Sequence, residues 1–245
     1  MSAKRRGGIA LVAVAAILAA GAVAILLYAN GYARAAETAQ AALDTAVRAE
    51  GMLLFGDADA EAGIILYPGG KVDGGAYANL ACRIAERTGM LVAVPDMPLH
   101  LAVLDPDAAD RVMAQCPDVT GWYIGGHSLG GAMAARYASR HADCVGGLIL
   151  LAAYPADPVT VPTLSIYGAC ETVLDWEKYG QGRAYWSDGS QELVLPGGNH
   201  AQFGDYGAQK GDTEAAIPAA AQQQQAADAI ARWLAELTEQ EGEAG

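Results

Sequence analysis

Trp122-Tyr123-Ile124-Gly125-Gly126-His127-Ser128-Leu129-Gly130-Gly131-Ala132 reads as a strand, a tight turn and the start of a helix, with Ser128 at the tip of the turn. The turn contains G-x-S-x-G. That spacing has a steric reason: the central residue is held in strained backbone and its hydroxyl stands exposed at the sheet edge. Small residues two before and two after it let strand and helix approach without a Cβ clash. Ser128 is therefore the candidate nucleophile; the alternative is a glycine-rich turn that merely packs, in a chain with 30 glycines. Phosphate loops do not fit. G-x-G-x-x-G needs glycine where Ser128 stands, and Gly70-Lys71 lacks both the following Ser or Thr and the first Gly of a P-loop.

Working outward, strands and helices alternate. Met52–Phe55, Gly63–Tyr67, Leu91–Val94, Trp122–Ile124, Gly147–Ala152, Leu164–Tyr167 and Gln191–Leu195 read as strands. Ala76–Thr88, Pro106–Ala114, Leu129–Arg140 and Ala219–Leu237 read as helices, the first stopped by Gly89. Short apolar strands separated by helices imply a mostly parallel α/β sheet with helices on both faces. Thr38–Ala49 reads as a short stalk helix. Gln222–Gln225 reads as a solvated face, and residues 239–245 as a flexible tail.

A serine hydroxyl needs a base. His127 sits inside the turn, and His141 follows the next helix on the wrong edge. His100 is on the correct edge but precedes Ser128. His200 follows the last strand, matching the order Ser, acid, His, and is the expected base, with His100 as its rival. The acid should follow an intervening strand, where it fixes the imidazole tautomer. Glu171 is three residues past Gly168; Asp175 and Asp157 are the alternatives. For the oxyanion, the candidate backbone donors are Leu129 and, in Tyr67-Pro68-Gly69-Gly70-Lys71, Gly70 or Lys71.

Composition bounds the rest. The 245 residues carry a net charge of −13, against the basic face that nucleic acid demands. Past residue 35 there are 11 basic and 28 acidic residues, a formal −17. Residues 1–8 hold Lys4, Arg5 and Arg6, and the apolar run Ile9–Ala29 has 21 residues, roughly 30 Å as a helix. The reading is a cytoplasmic N-terminus, one transmembrane helix over 9–29, a linker over 30–46 and a domain over 47–238 outside the cytoplasm. The alternative is a long signal sequence cleaved near Ala35, which would leave a secreted domain. No metal or cofactor motif appears among Cys82, Cys116, Cys144, Cys170 and the histidines. Cys116 and Cys144 fall at the amino edge of neighbouring strands, so a disulfide between them is conceivable in an exported domain.

The elbow, Tyr67-Pro68-Gly69-Gly70-Lys71, Ile166-Tyr167-Gly168 and Gly198-Asn199-His200-Ala201-Gln202-Phe203-Gly204-Asp205-Tyr206-Gly207 together resemble the α/β-hydrolase superfamily. Within it they are similar to a compact bacterial fold-5 group akin to dienelactone hydrolases. The resemblance covers about residues 47–238 and implies ester or related acyl hydrolysis but no particular substrate, since the fold hosts many chemistries. The expected mechanism is an acyl-enzyme acting on a small-molecule or lipid-like acyl substrate, with no cofactor suggested. Such proteins usually carry Asp in the acid turn, where this chain has Glu171. Many relatives insert a lid where only Ala153–Thr163 stands here. An open cleft is therefore expected, lined by Met97, Leu99, Leu101, Leu104, Phe203 and Tyr206. The competing readings are a catalytically silent scaffold and an acyltransferase.

Overall fold

A computed structural model describes residues 16–21, 23 and 27–244. The chain up to Tyr32 and the chain from Ala33 onward form separate compact units. In the first, residues 16–21, 23 and 27–30 are helical. The span expected over residues 9–29 falls largely outside the described residues. Among those described, no helix is long and apolar enough to cross a membrane.

The second unit is an eight-stranded sheet. Its strands are β1 (Val47–Ala49), β2 (Met52–Phe55), β3 (Ala62–Tyr67), β4 (Leu91–Pro95), β5 (Gly121–His127), β6 (Leu148–Leu151), β7 (Thr163–Gly168) and β8 (Gln191–Leu195). They run in the order β1-β2-β4-β3-β5-β6-β7-β8. From β4 to β8 every neighbouring pair is parallel, while β2 joins β4 and β1 joins β2 antiparallel. The helices are α1 (Gln40–Leu43), α2 (Ala78–Thr88), α3 (Ala108–Gln115), α4 (Leu129–Arg140), α5 (Trp176–Gly182) and α6 (Ala219–Ala244).

Strand β3 shows why the sheet is covered on both sides. Successive side chains leave a strand on opposite faces. Ile64 and Leu66 enter a core with Leu80 and Ile84 of α2 and Ile230 and Trp233 of α6. Ile65 and Tyr67 enter a second core with Val112 of α3 and Ala134, Ala135 and Tyr137 of α4. Each buried Leu or Ile contributes about 1.5–3 kcal/mol, so a strand sandwiched between two helical layers needs an unbroken apolar run. The parallel register brings the carboxyl ends of β3, β5, β6 and β7 level: Tyr67 lies beside Gly126, His127 beside Leu151, and Leu151 beside Ile166. The loops that leave this edge form one rim.

Several sequence expectations change. Thr38–Ala49 is not one helix: a 3-10 turn at Glu37–Ala39 leads into α1, and the chain then turns into β1. Ala39 and Ala42 are buried, so the segment packs on the domain instead of standing off as a stalk. Helix α3 begins at Ala108 because the Pro106 carbonyl accepts from the Tyr67 hydroxyl at 3.0 Å and stays in the loop. Helix α5 was hidden by Gly180 and Gly182; Asp175 caps it by accepting from the Lys178 N–H at 3.1 Å. Gln222 and Gln223 are buried, not solvated. All four cysteines are unpaired, Cys144 being exposed and Cys116 half-buried against the α3–α4 core.

Candidate active site

Ser128 ends the turn between β5 and α4 with φ 53° and ψ −122°. An L-residue pays a steric cost there, and such strain concentrates at functional sites. The flanking glycines are sterically required. A Cβ on Gly126 would sit 2.6 Å from the Gly130 carbonyl carbon, and one on Gly130 would sit 2.3 Å from the Pro68 oxygen. The Ser128 N–H donates to the Leu151 carbonyl at 2.9 Å, and its own carbonyl accepts from Ala132 at 3.0 Å, starting α4.

Gly168 performs the same service for the next two loops. A Cβ there would meet the Gly198 carbonyl carbon at 2.2 Å, and the Cys170 N–H donates to the Gly198 carbonyl at 2.7 Å. The turn carrying Glu171 is thereby laid against the loop carrying His200. The His200 Nδ1–H donates to Glu171 Oε2 at 2.9 Å, with both side chains buried. Glu171 Oε1 accepts from the N–H groups of Val173 at 2.7 Å and Leu174 at 2.9 Å. Burial by itself would raise the Glu171 pKa. The hydrogen bond and charge of His200, with the two amides, outweigh burial and hold it below the usual carboxylate range. The Nε2 atom of His200 is buried and has no hydrogen-bond partner among the described residues.

Ser128 and His200 line one open cavity of about 300 Å³. Its other walls are Leu129, Ala132, Ala152, Ala153, Tyr154, Val173, Leu174, Asp175 and Lys178. The expected lining is corrected here. Phe203 and Met97 are buried among core residues, and Leu99 and Leu104 are exposed to solvent. The cleft is walled by the loops after β6 and β7 instead, because the β6 loop turns back at Ala152 and Ala153 beside the elbow. A larger recess of about 590 Å³ lies behind the His200 loop, lined by Asp205, Asp212 and Glu214, and does not include Ser128. Of these two cavities, the smaller is the one lined by both Ser128 and His200.

The remaining candidates separate cleanly. Asp175 caps α5 and pairs with Lys178 at 3.0 Å, at the cleft mouth and away from the His200 Nδ1. His141 stacks on Tyr137. His100 lines a different cavity, with Pro68, Val72 and Asp73. In the loop after β3, the Lys71 N–H is taken by the His100 carbonyl at 2.6 Å. Gly70 lies against Leu129, whose Cβ a Gly70 Cβ would approach to 3.3 Å. That leaves Gly70 the better-placed amide.

Sequence reasoning missed the residues that hold these loops. The Tyr77 hydroxyl accepts from the Gly69 N–H at 3.0 Å and donates to His127 Nδ1 at 2.8 Å. His127 in turn packs against the His200 ring, with centroids 4.6 Å apart. Burial, and then the charge of His200, keep the His127 pKa well below the usual histidine range, so it stays neutral. Asp212 accepts from the N–H groups of His200 at 3.3 Å and Ala201 at 2.8 Å. Gln222 grips the Asn199 backbone from both sides, Oε1 accepting its N–H at 2.9 Å and Nε2 donating to its carbonyl at 2.7 Å. For Gln222 a signal existed: it continues the stripe of Ala226, Ile230 and Trp233. For Tyr77 and Asp212 no local pattern pointed inward.

With this geometry in view, the comparison by family gives a match over residues 63–224 to the model described as the alpha/beta hydrolase family. The chain belongs to the alpha/beta hydrolase family. No curated protein matches it by sequence. Among solved structures, this alpha/beta hydrolase is similar to Est1E from Butyrivibrio proteoclasticus, 14% identical over 79% of this chain and 98% of that one, with a TM-score of 0.59. It is also similar to a monoacylglycerol lipase from Paleococcus ferrophilus, 14% identical over 76% and 98%, TM-score 0.58. A thermophilic esterase from Thermogutta terrifontis matches at 14% identity over 79% and 97%, TM-score 0.56. At such identities these likenesses establish the fold alone.

Proposed function

We propose that the chain is a serine hydrolase that cleaves an ester or related acyl bond, with Ser128 as nucleophile, His200 as base and Glu171 as the acid that orients it. One observation carries the reading: the buried 2.9 Å Glu171–His200 pair lines the same cavity as the strained Ser128. His200 Nε2 takes the Ser128 proton as Oγ attacks the acyl carbon. The oxyanion is held by the N–H groups of Leu129 and Gly70, aided by the N-terminal dipole of α4. His200 then protonates the leaving group. It next takes a proton from water, which attacks the acyl carbon, and returns that proton to Ser128 Oγ as the acyl–Oγ bond breaks. The Ser–His hydrogen bond closes in the substrate complex, as in other hydrolases whose free-state contacts are long.

The short β6–β7 connection leaves the cleft open to water, which favours hydrolysis over transfer to another acceptor. A silent scaffold has no use for a buried carboxylate–imidazole pair, since burying such charges is costly. The decisive test is labelling by a fluorophosphonate probe. Wild type should be labelled and Ser128→Ala should not; equal labelling of both, or of neither, refutes the assignment.

The proposal extends to residues 9–29 as a single membrane anchor with the domain outside the cytoplasm. Ala33, just beyond that run, is bound into the domain: its N–H donates to the Lys71 carbonyl at 2.8 Å and its carbonyl accepts from Asp73 at 2.8 Å. Cleavage near Ala35 would discard both bonds, which supports a retained anchor over a removed signal.

A further inference from the structure

We propose that Tyr77 is a positioning residue for acyl transfer: its hydroxyl couples the oxyanion loop to the imidazoles behind Ser128, and so sets the Gly70 amide for the developing charge. The inference rests on the hydrolase reading above and adds a group that touches no substrate. Tyr77 ends the 3-10 turn Gly74–Tyr77, where the chain leaving β3 folds back before α2. Its side chain is buried. A phenylalanine would fill that space as well, so the hydroxyl needs a separate reason, because burying one is costly unless it is bonded.

Both of its bonds lead to the site. The Gly69 N–H donates to the Tyr77 oxygen at 3.0 Å, one residue before the Gly70 amide. The hydroxyl proton goes to His127 Nδ1 at 2.8 Å, one residue before Ser128. A hydroxyl has one proton to give and lone pairs to take another, and among the described residues His127 Nδ1 is the acceptor it meets. Burial holds the Tyr77 pKa well above the usual tyrosine range and holds His127 neutral, so the link keeps one direction.

Sterics fix the same junction. A Cβ on Gly69 would sit 2.7 Å from the Tyr77 oxygen and 2.9 Å from His127 Nδ1, so only glycine lets the three groups meet. His127 passes the constraint on, since its ring centroid lies 4.6 Å from that of His200 and 5.5 Å from that of Phe203. Oxyanion loop, elbow and base are thus tied through one buried hydroxyl. An oxyanion donor works only when held about 2.7–3.1 Å from the charged oxygen, and that placement comes from neighbours that lock the donor. Removing the hydroxyl frees the Gly69–Gly70 peptide without touching a substrate contact, so it weakens the transition state more than the ground state.

The test compares Tyr77→Phe with wild type in the full chain on a soluble short-chain ester, with active sites counted by fluorophosphonate labelling. Deleting an oxyanion donor costs about 10²–10³-fold in kcat; Tyr77→Phe displaces one instead, and should lower kcat per labelled site by about 10–100-fold with KM within about twofold. A trifluoromethyl ketone, whose carbonyl oxygen becomes negative when Ser128 Oγ adds, should bind the variant more weakly by the same factor. His127→Asn keeps an acceptor for the hydroxyl and should retain about tenfold more kcat than His127→Leu, which has none. A role in packing alone moves Tm and the number of labelled sites but neither of these ratios. Unchanged kcat per site in Tyr77→Phe, a fall without weaker ketone binding, or equal kcat in the two variants at position 127 overturns the proposal. If Tyr77→Phe does not fold, the pair at position 127 decides. Absence of labelling in the wild type instead removes the hydrolase reading, and this inference with it.

Discussion

Among the described residues Glu171 accepts from three donors: the Nδ1–H of His200 and the amides of Val173 and Leu174. A carboxylate can accept all three; a carboxamide has one oxygen and must turn its NH₂ toward a donor. Glu171→Gln should therefore lower kcat on a soluble ester by about 10³–10⁴-fold, as loss of the orienting acid does in Ser-His-acid enzymes generally. Glu171→Asp keeps the charge but is one methylene short of spanning both contacts, and should fall between. Steady-state kinetics check the order; near-normal turnover in Glu171→Gln would remove Glu171 from the mechanism. The longer arm of Glu finds its reason here, since it reaches His200 while its other oxygen closes the Val173–Leu174 turn.

Among the elements, α6 reaches furthest beyond its own packing. Its apolar stripe covers the sheet, and its first turn sends Gln222 into the His200 loop. Gln222→Ala would strand a buried N–H and a buried carbonyl of Asn199, at about 1–3 kcal/mol each. For a domain of this size that is a fall in Tm of about 4–24 °C. Gln225→Ala, on the half-exposed side, should stay within about 2 °C. Thermal melts of the two variants separate a clamp from a solvated run, and equal melts would reject the clamp. The element pattern itself was legible: β3, β4 and β6 are mainly runs of Ile, Leu, Val and Ala, as strands covered on both faces require. The stalk was misread because Thr38–Ala49 is too short for its periodicity to separate four helical residues from a strand beginning at Val47.

For the molecule as a whole, pH acts through buried groups. His127 has a folded pKa below its unfolded value of about 6.5, so the unfolded chain takes the proton first as pH falls. Stability is thus complete above about pH 6.5 and is lost as pH drops through the window below it. Glu171, also depressed, adds a second loss only below about pH 4.3, as pH falls toward its folded pKa. Between pH 7.5 and 5.5 the Tm should fall, and His127→Asn, which keeps an acceptor for Tyr77, should reduce that fall. Parallel declines in wild type and variant would show that other groups govern the acid limb.

Local chemistry was enough to determine the class of sheet, the strand-turn-helix around Ser128 and the edge from which the reactive loops leave. Side-chain alternation and glycine sterics act over a few residues and can be read there. What the tertiary structure alone decided was which carboxylate meets His200 across 29 positions, which loops wall the cleft, and that the Lys71 amide is already bonded to His100. Those outcomes depend on the close approach of Gly168 to Gly198 and on the order in which parallel strands lie side by side, and neither leaves a local trace in the order of residues.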